Sequence, residues 1–351
     1  MSVFRLSKNQ ELNKYFSELE GMGLINYASR GYKKWHWQYT QNPFCLSPEL
    51  PSWIYAWDCK AIGHLGVIPV DLKVGVQKIK AAWLVDFMTL AEYRRKGAGR
   101  ELVDEVDKQF DVLLAVGATE MSFNFFLKMG WEFLGNVPYY LKIWDAKPLV
   151  RKRIKNKFLA QFVSLQVNFI VKIFNFLKAC NYPQRIEISR IDNFTQEADL
   201  FWRQIVDSYK IIVPRNEDYL HWKFDLQPDM QYVKFRAARD GMVCGYAVAR
   251  CIINESGSME GLIAEVIARP QDRVAARQLV FEALKYLRSQ GCFMARCFAV
   301  SPDIQKALLS CGFLRHNVKM RFLIKRNKEG LQEACKLDNW YITAGDSDMD
   351  R

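Results

Sequence analysis

The chain has 351 residues, 50% apolar and 25% charged, with a net charge of +12. That composition excludes a disordered chain and allows two or three domains with ample cores. The basic excess suits a polyanionic partner such as a nucleotide-linked cofactor, RNA or an anionic membrane.

The nine cysteines are scattered, with no CxxC pair and no metal-ligand spacing. That pattern predicts reduced thiols in a cytoplasmic protein and no metal site. The N-terminal MSVFRLSKNQELNKYF lacks the pattern of a signal peptide. Residues 1 to about 50 suggest helix and loop. Trp35, His36, Trp37 and Tyr39 crowd one stretch there, which suits a packed core better than a stacking platform. Strand-like runs follow at Trp53 to Trp57 and Ala61 to Leu72, with a turn between them.

A further apolar run, Ala81 to Leu90, contains Asp86, a charge that needs a partner. It leads into Tyr93-Arg94-Arg95-Lys96-Gly97-Ala98-Gly99-Arg100. A helix is predicted next, because Leu102, Val103, Val106 and Phe110 repeat on one face. Strand, basic glycine loop and helix start make a phosphate site. The first helical N–H groups are free, the dipole favours an anion, and glycine lets backbone approach closely. The loop is neither a Walker motif nor a dinucleotide fingerprint, since Leu102 stands where a third glycine belongs. A second helix is predicted from about Thr119 to Met129, closed by Gly130. Phe133 to Trp144 has strand character, interrupted at Pro138.

Residues 151–157 are basic, and Phe158 to Leu177 is apolar. Gln161, Ser164, Gln166, Asn168, Lys172 and Asn175 argue against a membrane span. The favoured placement is a helix packed between two domains. The other is a helix on a membrane surface, its basic cluster at anionic headgroups.

From about Arg185 the pattern restarts. Leu220-His221-Trp222 through Pro228 echoes Trp35-His36-Trp37 through Pro43, and Asp240 to Gly245 echoes Asp58 to Gly63. Gln271-x-x-Val274-x-Ala276 falls on Arg94-x-x-Gly97-x-Gly99, and Gly312-Phe313 on Gly130-Trp131. His36 and His221 share a repeat position, which argues for a structural job in both. The last few residues are predicted to be disordered. The other placement of the tail is across a pocket, presenting Asp346 and Asp348 to a cationic acceptor.

Arg94-x-x-Gly97-x-Gly99 between strand and helix resembles the acyl-CoA-binding motif of the GNAT superfamily (Gcn5-related N-acetyltransferases). With the repeat, the chain is similar to a tandem GNAT protein. The resemblance implies an α/β (α+β) fold of two GNAT-like units, each a mixed twisted sheet flanked by helices. The units would span 1–150, with the intact loop, and 184–328, with Val274 and Ala276 in place of its glycines. Residues 151–183 would be a helical linker and 329–351 a tail.

The resemblance further implies an acetyl-CoA-dependent N-acetyltransferase acting on a small amine. An amino sugar in surface-polysaccharide synthesis is the acceptor such proteins suggest. Acetyl-CoA would meet the backbone of Phe87, Met88 and Thr89 and the loop residues Arg94, Arg95, Lys96, Gly97, Ala98, Gly99 and Arg100. Thr119 and Phe126 stand where the family's second motif carries Asn and Tyr, so the usual tyrosine acid is missing. Asp86 is the candidate base, and Tyr139 or Tyr140 the candidate acid. Two alternatives are a Fem-type aminoacyltransferase using aminoacyl-tRNA and a non-catalytic scaffold at a membrane surface. The intact loop argues against the first, so a nucleic-acid partner is not expected.

Overall fold

The computed structural model describes residues 2–7, 18, 31–45, 47, 49–58, 60–177 and 186–350. Of residues 1 to about 50, expected as helix and loop, Ser2–Ser7 is instead a strand and Gly31–Thr40 a helix, while 8–17 and 19–30 lie outside the described residues. The described strands form two mixed sheets. The first contains β1 (Ser2–Ser7), β2 (Glu49–Trp57), β3 (Lys60–Val74), β4 (Gln77–Thr89), β5 (Val112–Val116) and β6 (Glu132–Asn136). The second contains β7 (Tyr139–Ile143), β8 (Glu187–Ile191), β10 (Val233–Arg239), β11 (Met242–Ile253), β12 (Met259–Ala268), β13 (Met294–Phe298) and β14 (Leu314–His316). The short β9 (Ile211–Ile212) joins the first sheet through β3.

The two halves exchange a strand. β15 (Arg321–Arg326), from the end of the chain, lies between β5 and β6 in the first sheet. β7, from the first half, lies between β13 and β14 in the second. The units expected at 1–150 and 184–328 are therefore interleaved in space. Pro138 marks the crossing. It offers no N–H for a tight hairpin ladder; its carbonyl accepts from Ala299, while the Val137 amide donates to Met320. The run expected from Phe133 to Trp144 thus divides at that proline into strands of different sheets.

Two of the segments that echo each other in sequence meet in a reciprocal contact. Trp37 lies on α1 (Gly31–Thr40) and Trp222 on a later helix, Glu217–Phe224. Each indole N–H donates to the other residue's carbonyl, at 2.7 and 3.1 Å, and the rings stack at 4.8 Å. His36 bonds Thr40 and His221 bonds Asp225, both one helical turn on, so both histidines brace their own helices. Trp35, Trp37 and Tyr39 are buried, as packed aromatics should be.

The main apolar core runs through both halves without a break. A second cluster lies under α2 (Ala98–Asp107), where Leu102, Val103 and Val106 bury the predicted helix face against Tyr55, Ile62 and Leu113. The predicted second helix is α3 (Glu120–Lys128). Cys244, Cys251, Cys292, Cys297, Cys311 and Cys335 are free thiols.

Candidate active site

β4 and β5 run parallel but pair only from Ala81–Val112 to Trp83–Leu114. Beyond Trp83, β4 continues to Thr89 and its β5-facing edge pairs with no described strand. The sheet therefore opens as a V, in which the β4–β5 ladder does not extend over residues 84–89. Phe87, Met88 and Thr89 lie on this stretch.

The basic loop closes the mouth of the V and starts α2. Gly97 is the N-cap, with φ +98, a backbone conformation that costs a side-chain-bearing residue about 1–3 kcal/mol. The first helical bonds run from Arg100 and Glu101 to the Gly97 carbonyl. Among the described residues, the amides of Lys96, Gly97, Ala98 and Gly99 donate to no acceptor, as a helix start requires. Arg94, Arg95, Lys96 and Arg100 are exposed around them. Arg94 also donates to the Thr89 carbonyl at 3.2 Å, tying the loop to the end of β4. Gly99 serves packing: a Cβ there would sit 3.1 Å from the Phe87 ring.

Asp86 occupies a bulge in β4. Gly66 pairs with Val85 and His64 with Met88, so two β4 residues oppose Leu65 alone. Asp86 takes φ +52 there. Its carboxylate accepts from the Tyr39 hydroxyl at 2.8 Å and the Gln38 amide at 3.1 Å. Gly66 makes room for Tyr39, since a Cβ would overlap the phenol. The Asp86 carbonyl faces His64 Nδ1 at 3.0 Å, and His64 Nε2 faces the Ser52 hydroxyl at 2.8 Å. A carbonyl can only accept, so Nδ1 carries the proton and Nε2 accepts from Ser52. Helix α1 and strands β2 and β3 thus converge on one strained aspartate at the V.

Burial is the first cause that holds the His64 pKa below its usual 6.5. The unfolded chain therefore binds this proton first. The stability it contributes is full above that value and declines as pH falls below it. Wild type is expected to lose more melting temperature than His64→Asn between about pH 7 and 5. Equal slopes for the two proteins would remove His64 from this role.

Four further predicted site residues lie off β4 and the basic loop. The strand exchange carries Tyr139 and Tyr140 into the second sheet, paired to neither β4 nor β5. Tyr139 packs on Phe298 and His316, Tyr140 is buried, and burial pushes both phenols up. Neither is placed as an acid at the V. Thr119 is the N-cap of α3, accepting from the Ser122 amide. Phe126 is buried against Trp131 with ring centroids 4.7 Å apart, and its ring also packs on Phe87 of the V at 5.8 Å. Conversely, Gln38, Tyr39, Ser52 and His64 belong to the site although no motif marks them. The glycine at 66 beside an aromatic-rich helix is their only sequence signal.

The second unit opens similarly and is filled. β12 and β13 pair from Glu260–Met294 to Ile263–Cys297 and then part. The tail enters the gap: Gly345 donates to the Ala264 carbonyl at 2.8 Å, and the Ile342 carbonyl accepts from Val300 at 3.2 Å. Asp346 and Glu265 are fully buried on Arg215, at 2.6 and 2.7 Å. Asp350 is buried on Lys223 and Tyr232. The tail is thus packed to residue 350, and Asp346 faces an arginine of its own chain rather than an acceptor. The matching helix start is also occupied. Asp272 caps the helix Arg273–Ser289, its carboxylate accepting from the Ala275 amide. An anion already sits where the first unit leaves amides free.

Comparison with known proteins agrees with this geometry. Residues 37–134 match the family model described as acetyltransferase (GNAT) domain. No curated protein matches the chain. A GCN5-related N-acetyltransferase from Anabaena variabilis superposes with TM-score 0.59 at 12% identity, covering 93% of this chain and 73% of that one. N-myristoyltransferase of Saccharomyces cerevisiae with bound myristoyl-CoA gives 0.57 at 11%, covering 93% and 82%. A GCN5-related N-acetyltransferase from Kribbella flavida gives 0.56 at 12%, covering 93% and 70%. Residues 37–134 match the GNAT domain model, and the chain shares the fold of the acyltransferases it superposes on. The domain match stops just before β7, the strand that leaves for the other sheet.

Proposed function

We propose that the chain transfers an acyl group from acyl-CoA, held by the first unit, to a small amine. One contrast carries the reading. Among the described residues, no strand or tail enters the V of the first unit, and its helix-start amides, ringed by Arg94, Arg95, Lys96 and Arg100, meet no acceptor. The second has its V filled by the tail and its helix start capped by Asp272. The pyrophosphate would meet the amides of residues 96–99, and the pantetheine arm would lie along the edge of residues 84–89. Amides on that edge would face the oxyanion formed when the amine attacks the thioester.

Asp86 is the residue we infer takes the amine proton. Tyr39, Gln38 and His64 fix its position. The thiolate can leave without a side-chain acid at the place of Phe126, because thiols ionise near pH 8.5. Acetyl is the acyl group to test first. An amino sugar is the acceptor class favoured by resemblance to tandem proteins of surface-polysaccharide synthesis.

The experiment is acetyl transfer from acetyl-CoA to a panel of amino sugars and polyamines, read by thiol release, with wild type and Asp86→Asn. Expected is turnover on at least one amine, and a loss of about 100-fold or more in kcat for Asp86→Asn that eases at higher pH. Thiol release with Asp86→Asn at the wild-type rate would remove the base assignment. RNA binding with steep salt dependence, in place of acetyl-CoA binding, would turn the reading toward a tRNA-linked donor.

A further inference from the structure

We propose that the helix Lys157–Leu177 is an anchor that lies in the surface of an anionic phospholipid bilayer. This goes beyond acyl transfer and does not rest on it. The helix is long and apolar enough to cross a membrane by length and composition, yet little of it is buried in the protein. Its packing shows how it is held. Asn168 bonds Asp145 at 2.7 Å and accepts from the Ala146 amide at 2.6 Å. Asn175 donates to the Ile143 carbonyl at 3.0 Å and accepts from Lys142 at 2.9 Å. Ala160 and Ser164 are buried on the same side. Of the polar residues that interrupt the apolar run, Ser164, Asn168 and Asn175 therefore supply the inward face and pin the helix flat against the end of β7, while Gln161, Gln166 and Lys172 are exposed.

The outward face is the opposite. Phe158 is 89% exposed, Phe162 60%, Leu165 65% and Phe169 66%, with Leu159, Ile170 and Ile173 also exposed. Phe158, Phe162, Leu165, Phe169 and Ile173 follow at intervals of four, three, four and four residues, a single stripe along the helix. The expected burial between domains does not occur, because the two sheets meet through exchanged strands and the Trp37–Trp222 pair instead. An exposed aromatic stripe of this extent is costly in water and calls for an apolar cover.

Charge selects the cover. Arg151, Lys152, Arg153, Lys155 and Lys157 are all exposed at the start of the helix, and no acid lies among residues 151–177. An apolar stripe beside a cationic cluster matches acyl chains beneath anionic headgroups. A second copy of this chain would set one basic cluster near another or leave both unpaired. Crossing the bilayer is ruled out by the asparagine bonds, which hold the inner face against folded strands along the helix.

The test is co-sedimentation of the full chain with phosphatidylcholine vesicles, with and without phosphatidylglycerol, at low and high salt. Two variants accompany it: Phe158→Asp/Phe162→Asp/Phe169→Asp, and Lys152→Glu/Arg153→Glu/Lys155→Glu. All six positions are exposed, and melting temperature verifies each fold. Expected is binding that needs phosphatidylglycerol, weakens with salt and falls about 100-fold in each variant. Indifference of the wild type to phosphatidylglycerol vesicles would overturn the proposal. So would a dimer in solution that the phenylalanine variant converts to monomer without any vesicle binding. Resistance to both high salt and alkaline carbonate would also overturn it, in favour of a spanning segment.

Discussion

Gly97→Val is expected to fold and to lose the thermal stabilisation that acetyl-CoA gives the wild type. At a ligand concentration 100 times Kd, binding adds about 2.7 kcal/mol to the native state. For a chain of this length that is a rise of about 4 °C in melting temperature. Valine is the residue the second unit carries at the matching position, Val274. At position 97 it must adopt φ +98 and place a branched Cβ beside amides that a pyrophosphate needs to approach. The strain alone costs about 1–3 kcal/mol, so the unliganded melting temperature falls too.

The two effects separate with a matched control. Gly291 has φ +85, and a Cβ added there would meet nothing within 4 Å. Gly291→Val should lower the unliganded melting temperature similarly and keep the full acetyl-CoA shift. If Gly97→Val also keeps that shift, the loop is an exposed basic turn and the donor lies elsewhere.

Some of this site was legible because it is local. Strand, basic loop, glycine N-cap and amphipathic helix occupy one continuous stretch, and their spacing carries their geometry. The repeat was legible for a related reason: His36 and Trp37 recur as His221 and Trp222 with the same spacing to proline, and the tryptophans do meet. The strand exchange was not. β7 alternates and β15 carries a short apolar run, and nothing in five or six residues names the sheet they join. Assigning Tyr139 or Tyr140 to the first unit followed from sequence adjacency, which the crossing at Pro138 breaks.

Long-range charge pairing hid the rest. An acidic terminus such as Asp346-Ser347-Asp348-Met349-Asp350 suggests a solvated end, because its partners Arg215 and Lys223 lie more than a hundred residues earlier. The linker helix misled in the other direction. Its apolar surface suggested a helix buried between domains, whereas Asn168 and Asn175 make the contacts that leave the phenylalanines outside. Asp86 was conspicuous, since a charge inside an apolar strand demands donors. Which donors it found depended on a helix packed across the sheet.

Arg215→Met is expected to destabilise the fold by about 3–5 kcal/mol, lowering the melting temperature by about 4–7 °C. Arg215, Glu265 and Asp346 are all fully buried, and the guanidinium is the cation both carboxylates face, at 2.7 and 2.6 Å. Methionine fills the space and leaves two like charges with no counter-ion in a dry site, which is worse than removing the whole cluster. Arg215→Met/Glu265→Gln/Asp346→Asn should therefore recover much of the loss, a non-additivity that simple loss of packing does not produce. Thermal and denaturant unfolding would show it; a loss below about 1 kcal/mol for Arg215→Met would sink the idea that this ion cluster holds the tail. The tail's detachment has its own readout. Thr343 bonds Glu265, and Gly345 bonds the Ala264 carbonyl, so freeing Asp346 loosens the segment that fills the second V. Limited proteolysis near residue 345 should accelerate in Arg215→Met while the stoichiometry of acetyl-CoA stays at one per chain, because Asp272 still caps the second helix start.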